Sequence, residues 1–136
     1  MCVLRVSGSR FDADAFLAGS RLRPSGIVRT GEPRTRSRPD GPKESRSGFN
    51  VAVSDAEWSG SSGQVADACA FLDEHAAELR ELRALETVED MRLDFPLSLR
   101  IGHDGAAAQF DYFPPELVTR AGALGLGIEI SLYPTE

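Results

Sequence analysis

The side chains best suited to bind a ligand are the arginines of one basic segment, residues 21–46. This segment holds eight of the fifteen basic residues of the 136-residue chain but only three of its twenty-one acidic residues, so its net charge is +5. The remaining residues carry a net charge of −11. Guanidinium groups bind carboxylates and phosphates through paired hydrogen bonds. The charge asymmetry is therefore compatible with a segment that binds a partner.

Four arginines of this segment form the candidate partner-binding or anion-binding site. Arg34, Arg36 and Arg38 alternate with small polar residues, so an extended backbone would direct their three guanidinium groups to the same side. Arg29 lies at the end of a short predicted strand just before them. We expect these four side chains to contact the partner.

The charge pattern leaves two other interpretations of the segment open. It lies between Phe16 and Phe49 and contains no aromatic residue, whereas proteins that bind single-stranded nucleic acid usually offer aromatic stacking surfaces. Nucleic acid or another anionic polymer is therefore the weaker alternative to a protein partner. The segment could equally lie against the acidic remainder of its own chain, with arginine stems covering apolar surface.

A second candidate site comprises acid–base side chains near a predicted turn. His103, Asp104, Asp111 and Tyr112 would form a small catalytic or ligand-binding pocket if they converge at one end of a hairpin. Aspartate, glycine and histidine are also ordinary turn residues. The alternative to catalysis is therefore a simple chain reversal.

Other catalytic chemistry has little support in the sequence. His75 and Glu78 are spaced to share a helix face, but no second ligand pair accompanies them, and zinc sites need three or four ligands. Cys2 and Cys69 lie on predicted apolar faces, where a thiol packs as a small core residue. We therefore predict no metal, no cofactor and no catalytic residue, and lean against an enzyme.

Hydrophobic periodicity predicts the elements that position these residues. Apolar and polar side chains alternate over residues 91–101, which predicts a strand with one buried face. Apolar side chains recur every three or four positions from 61 to 85, which predicts one long amphipathic helix. Further strands are predicted at 2–7, 26–30, 48–54 and 128–133, and shorter helices after Asp12 and from Pro115.

Two local features refine the strand over residues 91–101. Pro96 lies on its polar side and lacks an amide proton, which predicts an edge position or a bulge. The turn residues 103–105 predict a hairpin into a further strand that ends near residues 110–113. On the final helix, Leu117, Val118, Ala121 and Leu124 are expected to face the core.

The predicted series is β-α-β-β-α-β-β-α-β, and we expect one α+β domain over residues 1–136. Adjacent strands joined by short turns favour a two-layer sandwich, with helices on one face of a largely antiparallel mixed sheet. The order β-α-β-β-α-β of a ferredoxin-like core is nested in this series.

Two motifs place the chain beside a known group of proteins. Gly-Glu-Pro-Arg occupies residues 31–34, and the last helix runs from Pro-Glu-Leu at 115–117 to Leu-Gly-Leu at 124–126. In these features, and over nearly its whole length, the chain resembles a widespread bacterial family of short stand-alone proteins classed as a domain of unknown function. The resemblance implies no catalytic residue. Families of this size and style include immunity proteins, which neutralise toxins.

Composition suggests where such a protein acts. Fourteen arginines against one lysine are typical of a GC-rich bacterial genome, and the two cysteines fit no disulfide framework. The N-terminus lacks the apolar stretch of a secretory signal, and no run reaches the ~18 apolar residues of a membrane span. We therefore expect a cytoplasmic, non-enzymatic interaction protein without a membrane partner, with an immunity-type protein as one concrete form.

Overall fold

The computed structural model describes residues 1–135, which contain five strands and four helices. In chain order the elements are β1 (Cys2–Gly8), α1 (Ala13–Ala18), β2 (Gly26–Val28), β3 (Ser47–Ser54), α2 (Ser62–Glu74), α3 (Ala76–Ala84), β4 (Asp90–Leu99), α4 (Pro115–Ala123) and β5 (Gly127–Pro134). No helix in this part of the chain has the length and apolar character needed to cross a membrane.

All five strands belong to one sheet, in the order β2-β3-β1-β4-β5. Neighbouring strands are antiparallel except β4 and β5, which are parallel. β3 separates β1 from β2, and β1 separates β3 from β4, so both β-α-β units are split by an inserted strand. The first four strands thus have the order of a ferredoxin-like core, and α4 connects β4 to the additional strand β5. The predicted α+β class is confirmed.

The helices cover one face of the sheet because the strands alternate apolar and polar side chains. Leu4 and Val6 of β1 and Leu93 and Phe95 of β4 are almost completely buried on that face. Each buried side chain of this size contributes roughly 1.5–3 kcal/mol. The helices supply the opposing side chains of the same core, among them Leu72, Leu79, Leu82, Leu117 and Ala121.

The long helix predicted over residues 61–85 is two helices, α2 and α3, that meet at His75. The backbone of His75 leaves the helical region, with φ −106° and ψ 18°. Its imidazole Nδ1 lies 3.1 Å from Glu78 Oε1, a contact that fixes the ring at the junction. The predicted apolar spacing is confirmed, because it continues through the junction and Leu79 and Leu82 are buried.

The predicted strand ending near residues 110–113 does not form, because the edges of β4 are already in use. β5 pairs along one edge, and on the other β1 pairs as far as Asp94 and the backbone N–H of Ser98 donates to the carbonyl of Trp58 at 2.9 Å. The side chain of Gln109 replaces a strand partner at the end of β4. Its Oε1 accepts from the backbone N–H of Arg100 at 2.8 Å, and its Nε2 donates to the carbonyl of Ser98 at 3.2 Å. Residues 100–114 are therefore a loop rather than the second half of a hairpin.

Pro96 lies in an internal strand, yet its missing amide proton leaves no pairing defect. The pairing of β1 with β4 ends at Val3 opposite Asp94, so Pro96 lies beyond the last antiparallel pair. Its carbonyl accepts a hydrogen bond of 2.8 Å from Gln64 Nε2 of α2. Pro96 is therefore not on an edge strand. It lies in an edge-like position only because β1 does not extend past Asp94 on that side of β4.

Candidate anion-binding site in the arginine segment

The start of the arginine segment is fixed to the body of the protein by two carboxylates. The backbone N–H of Arg21 donates to Glu78 at 2.8 Å, and the Arg21 Nε lies 3.4 Å from the same carboxylate. Arg29 donates to Asp14 of α1 through Nε at 2.8 Å and Nη2 at 2.9 Å. The hydrogen bonds from Arg29 hold the pKa of Asp14 below its ordinary value. The interpretation that the segment lies against its own chain thus applies to this portion.

The rest of the segment folds back on itself as an ordered loop. The backbone N–H of Gly31 donates to the carbonyl of Glu44 at 2.9 Å, and that of Arg34 donates to Pro42 at 3.0 Å. Gly31 has φ +87°, a conformation that is strained for any residue with a Cβ atom. At the far end Arg46 lies 3.9 Å from Glu89. The loop is therefore anchored at both ends and closed across its middle.

A cavity of about 300 Å³ opens between this loop and β2. Three of the four predicted arginines, Arg29, Arg34 and Arg36, line it together with Glu32 and Glu44. The Nε of Arg34 lies 4.0 Å from Glu44, at the limit of an ion pair. Within residues 1–135, no carboxylate lies within 4.0 Å of Arg36. The cavity therefore presents one uncompensated guanidinium group.

The predicted arginine stripe does not form, because the chain turns where an extended backbone was expected. The backbone N–H of Arg38 donates to the carbonyl of Thr35 at 3.0 Å, and that of Gly41 donates to Arg38 at 2.9 Å. These two turns carry Arg38 out of the cavity that Arg34 and Arg36 line. Arg38 is exposed, and no carboxylate of residues 1–135 pairs with it. The segment thus presents two unpaired arginines at its tip, Arg36 and Arg38.

A second cluster of charged side chains lies on the face of the sheet that the helices leave open. Arg5 and Arg92 are directly opposite each other on β1 and β4. Arg5 Nη2 lies 3.0 Å from Asp94, and Arg92 donates to Asp90 at 2.8 Å and to Glu129 at 3.1 Å. Each arginine is thus neutralised by its own carboxylates. The cluster holds three carboxylates against two guanidinium groups, so it is a poor site for an additional anion.

Arg92 lies on the polar side of the alternating pattern over residues 91–101, and Arg5 lies within the predicted strand at 2–7. A cavity of about 410 Å³ at this face is also lined by Arg46. The alternation in each strand was the signal that placed these side chains away from the core. Which strands pair, and in which register, brings them together, and nothing in the local pattern specifies that pairing.

Among the four acid–base residues of the second predicted site, the described contact is between chain neighbours, with His103 Nε2 3.5 Å from Asp104. Asp111 accepts from Arg100 at 3.1 Å and from Gln109 at 2.9 Å. His103 and Asp104 form an exposed turn, and Tyr112 is 72% exposed. Five of the best-formed cavities among residues 1–135 are lined by other side chains.

The cysteines and acidic residues provide no assembled catalytic group either. Cys2 is completely buried, and burial together with the nearby Asp94 raises the pKa of its thiol to about 12, so the nucleophilic thiolate is not formed at neutral pH. Cys2 and Cys69 are both free thiols. Among residues 1–135, no three histidine, cysteine or acidic side chains cluster closely enough to hold a metal ion.

Known proteins provide no relative from which the function of this chain could be inferred. No protein-family model matches the chain, and neither the curated proteins nor the solved structures include a match.

Proposed function

We propose that this is a non-enzymatic binding protein whose arginine segment binds a carboxylate-rich surface of another protein. The observation that carries the proposal is the cavity of about 300 Å³ lined by Arg29, Arg34 and Arg36 together with Glu32 and Glu44, beside a loop tip where Arg36 and Arg38 have no carboxylate partner within residues 1–135. A carboxylate of a partner would supply the missing counter-charge, and a guanidinium group binds a carboxylate through two parallel hydrogen bonds.

The anchored ends of the segment support this function. Arg29 and Arg46 form ion pairs with Asp14 and Glu89 of the body. These pairs hold the ends of the loop, while the arginines at its tip remain available to a partner. A loop that is ordered before binding loses less conformational entropy when a partner docks. Arg29 and Arg46 therefore position the loop, and Arg36 and Arg38 contact the partner.

The dispersed acid–base residues and the buried Cys2 thiol favour binding over catalysis. The absence of aromatic residues between Phe16 and Phe49 favours a protein surface over single-stranded nucleic acid, which binds largely by stacking on aromatic rings. An immunity-type protein that neutralises a toxin is one concrete form of this proposal. We place it in the cytoplasm of a bacterium, where the free thiols of Cys2 and Cys69 would remain reduced.

The test is affinity capture from the source lysate with a charge-reversed tip. The variant Arg36→Glu/Arg38→Glu changes the two unpaired arginines of the loop tip. The matched control Arg10→Glu/Arg80→Glu changes two exposed arginines outside the segment that also lack an ion pair within residues 1–135. Both variants change the net charge by the same amount. We expect one protein to be retained by the wild type and by the control and lost from the tip variant.

The same experiment at low and high salt separates the alternatives. Nucleic acid captured at low salt and released at high salt would favour the anionic-polymer interpretation, because phosphate contacts release counterions. A protein lost only after acidic residues of the body are changed would assign the contact to the body. Equal retention by all three proteins would contradict a role for the segment.

A further inference from the structure

The strand β5 presents an open hydrogen-bonding edge. It is the last strand of the sheet next to β4, and its eight residues Gly127–Pro134 form the longer of the two sheet edges. Natural proteins usually protect such an edge with lysine, proline or a bulge, because its free N–H and C=O groups pair with other strands. Before Pro134, β5 has only Glu129 as a charge, and Arg92 neutralises it at 3.1 Å.

An apolar band along β5 is incompletely covered. Ile128, Ile130 and Leu132 lie opposite Leu93, Phe95 and Leu97 of β4 in the parallel register, so their side chains lie on the helix-covered face. The β4 partners are completely buried, whereas Ile128 is 37%, Ile130 50% and Leu132 54% exposed. The helix layer thus ends before it covers the edge strand.

The helix beside this band extends the uncharged surface. α4 packs beside α2, and Arg120 on that flank donates to Asp73 of α2 at 2.9 Å. Val118 and Gly122 are one helical turn apart and therefore share a different flank of α4. Both are exposed, and Val118 was expected to face the core. The flank of α4 away from α2 consequently carries no charge at these positions.

We propose that a second copy of this chain covers the edge, with the two β5 strands paired antiparallel about Ile130. In this register Ile130 lies opposite its own symmetry mate, Ile128 opposite Leu132, and Glu129 opposite Ser131. Each apolar side chain meets an apolar one, and no like charges are opposed. Centring the pair on Glu129 instead would place two carboxylates directly opposite each other. The strand is thus complementary to itself in one preferred register.

The other sheet edge explains why pairing closes into a dimer. β2 has only three residues, Gly26–Val28, so it is too short to pair along the eight residues of β5. A head-to-tail chain of molecules, which would form an open filament, is therefore disfavoured. A symmetric contact between identical surfaces closes after two subunits. The product is a continuous ten-stranded sheet.

Charge substitution at the centre of the proposed contact tests the dimer. Ile130→Lys places two ammonium groups opposite each other, and Ile101→Lys makes the same change at a 53% exposed loop position outside β5. We expect the wild type and Ile101→Lys to sediment as dimers of the 14.7 kDa chain. Ile130→Lys should raise the dimer dissociation constant by about 100-fold or more. Circular dichroism verifies that each variant is folded.

Two results of this experiment would overturn the proposal. One is a wild-type protein that remains monomeric at about 100 µM, because its dimer dissociation constant would then lie above that concentration. The other is a dimer that Ile130→Lys leaves intact, which would assign the contact to a different surface.

Disulfide trapping provides a readout that does not depend on weakening the protein. Directly opposed residues of antiparallel strands have Cα atoms about 4.5–5.5 Å apart, which is within disulfide range. Ile130→Cys should therefore form a covalent dimer on mild oxidation, in a Cys69→Ser background. Ile128→Cys, which would lie roughly 13 Å from its symmetry mate at ~3.3 Å per residue, should not. Equal cross-linking at both positions, or none at Ile130→Cys, would refute the register.

Discussion

The carboxylate of Glu78 fixes the start of the arginine segment to the junction between α2 and α3. Replacing this carboxylate by an amide measures how much the anchor contributes to the free energy of unfolding. Its side chain is 13% exposed. It accepts hydrogen bonds from the hydroxyl of Ser20, the backbone of Arg21 and the ring of His75. Burial by itself raises the pKa of Glu78. These hydrogen bonds outweigh burial and lower the pKa from 4.5 to about 2.

The magnitude of the effect follows from the pKa shift. Because the folded pKa lies below the unfolded value, the ionised Glu78 stabilises the fold above pH 4.5, and this contribution is lost as the pH falls toward 2. Each pKa unit corresponds to about 1.4 kcal/mol, so the contribution is about 3 kcal/mol at pH 7 and about 1 kcal/mol at pH 2.5. We expect Glu78→Gln to lower the free energy of unfolding by these amounts.

Urea denaturation of the wild type and Glu78→Gln at several pH values measures the difference directly. Glu81→Gln is the matched control, since Glu81 is an exposed residue of α3 with no ion pair within residues 1–135. A difference between wild type and Glu78→Gln that stays constant from pH 7 to pH 2.5 would refute the linkage argument. An equally large loss in Glu81→Gln would show that the anchor at Glu78 has no special role.

Two further predictions concern the sheet and its buried thiol. A Cβ atom on Gly48 would lie 2.0 Å from the carbonyl oxygen of Val6, so Gly48→Ala should lower the free energy of unfolding by about 3 kcal/mol or more. A Cβ atom on Gly26 would have no atom within 4 Å, so Gly26→Ala should change the free energy of unfolding by less than about 0.5 kcal/mol. Similar urea midpoints for Gly48→Ala and Gly26→Ala would contradict this difference. Because burial raises the pKa of Cys2 to about 12, iodoacetamide at pH 8 should label Cys2 only after the protein is unfolded. Peptide mass spectrometry measures the labelling, and rapid labelling of the native protein would contradict the burial of Cys2.

Local patterns predicted the elements well where one residue type determines the structure. Asp12 caps α1 by accepting from the backbone N–H of Ala15 at 3.0 Å, and Pro115 begins α4, because capping and proline geometry act over a few residues. The alternating pattern over residues 91–101 likewise predicted β4. Such signals reside within a single element, so the sequence displays them directly.

The errors arose where distant parts of the chain compete for the same position. The turn at 103–105 suggested a hairpin, but β5 occupies the edge of β4 that such a strand would need. The three alternating arginines suggested a stripe, but the turns at Arg38 and Gly41 separate Arg38 from Arg34 and Arg36. The candidate site was thus predicted in its residue types and in three of its members, while the cavity depends on loop closure that no local pattern encodes.

The central place of β1 has a consequence for how the protein is made. β1 comes before the other elements in the chain, yet Val6 pairs with Phe49 on one side and with Met91 on the other. At a synthesis rate of about 5–20 residues per second, β4 follows β1 by roughly 5–20 s. During that interval one side of an apolar strand remains without its partner, and the sheet cannot be completed. The nascent chain is therefore most exposed to mispairing at the strand that ends up most protected.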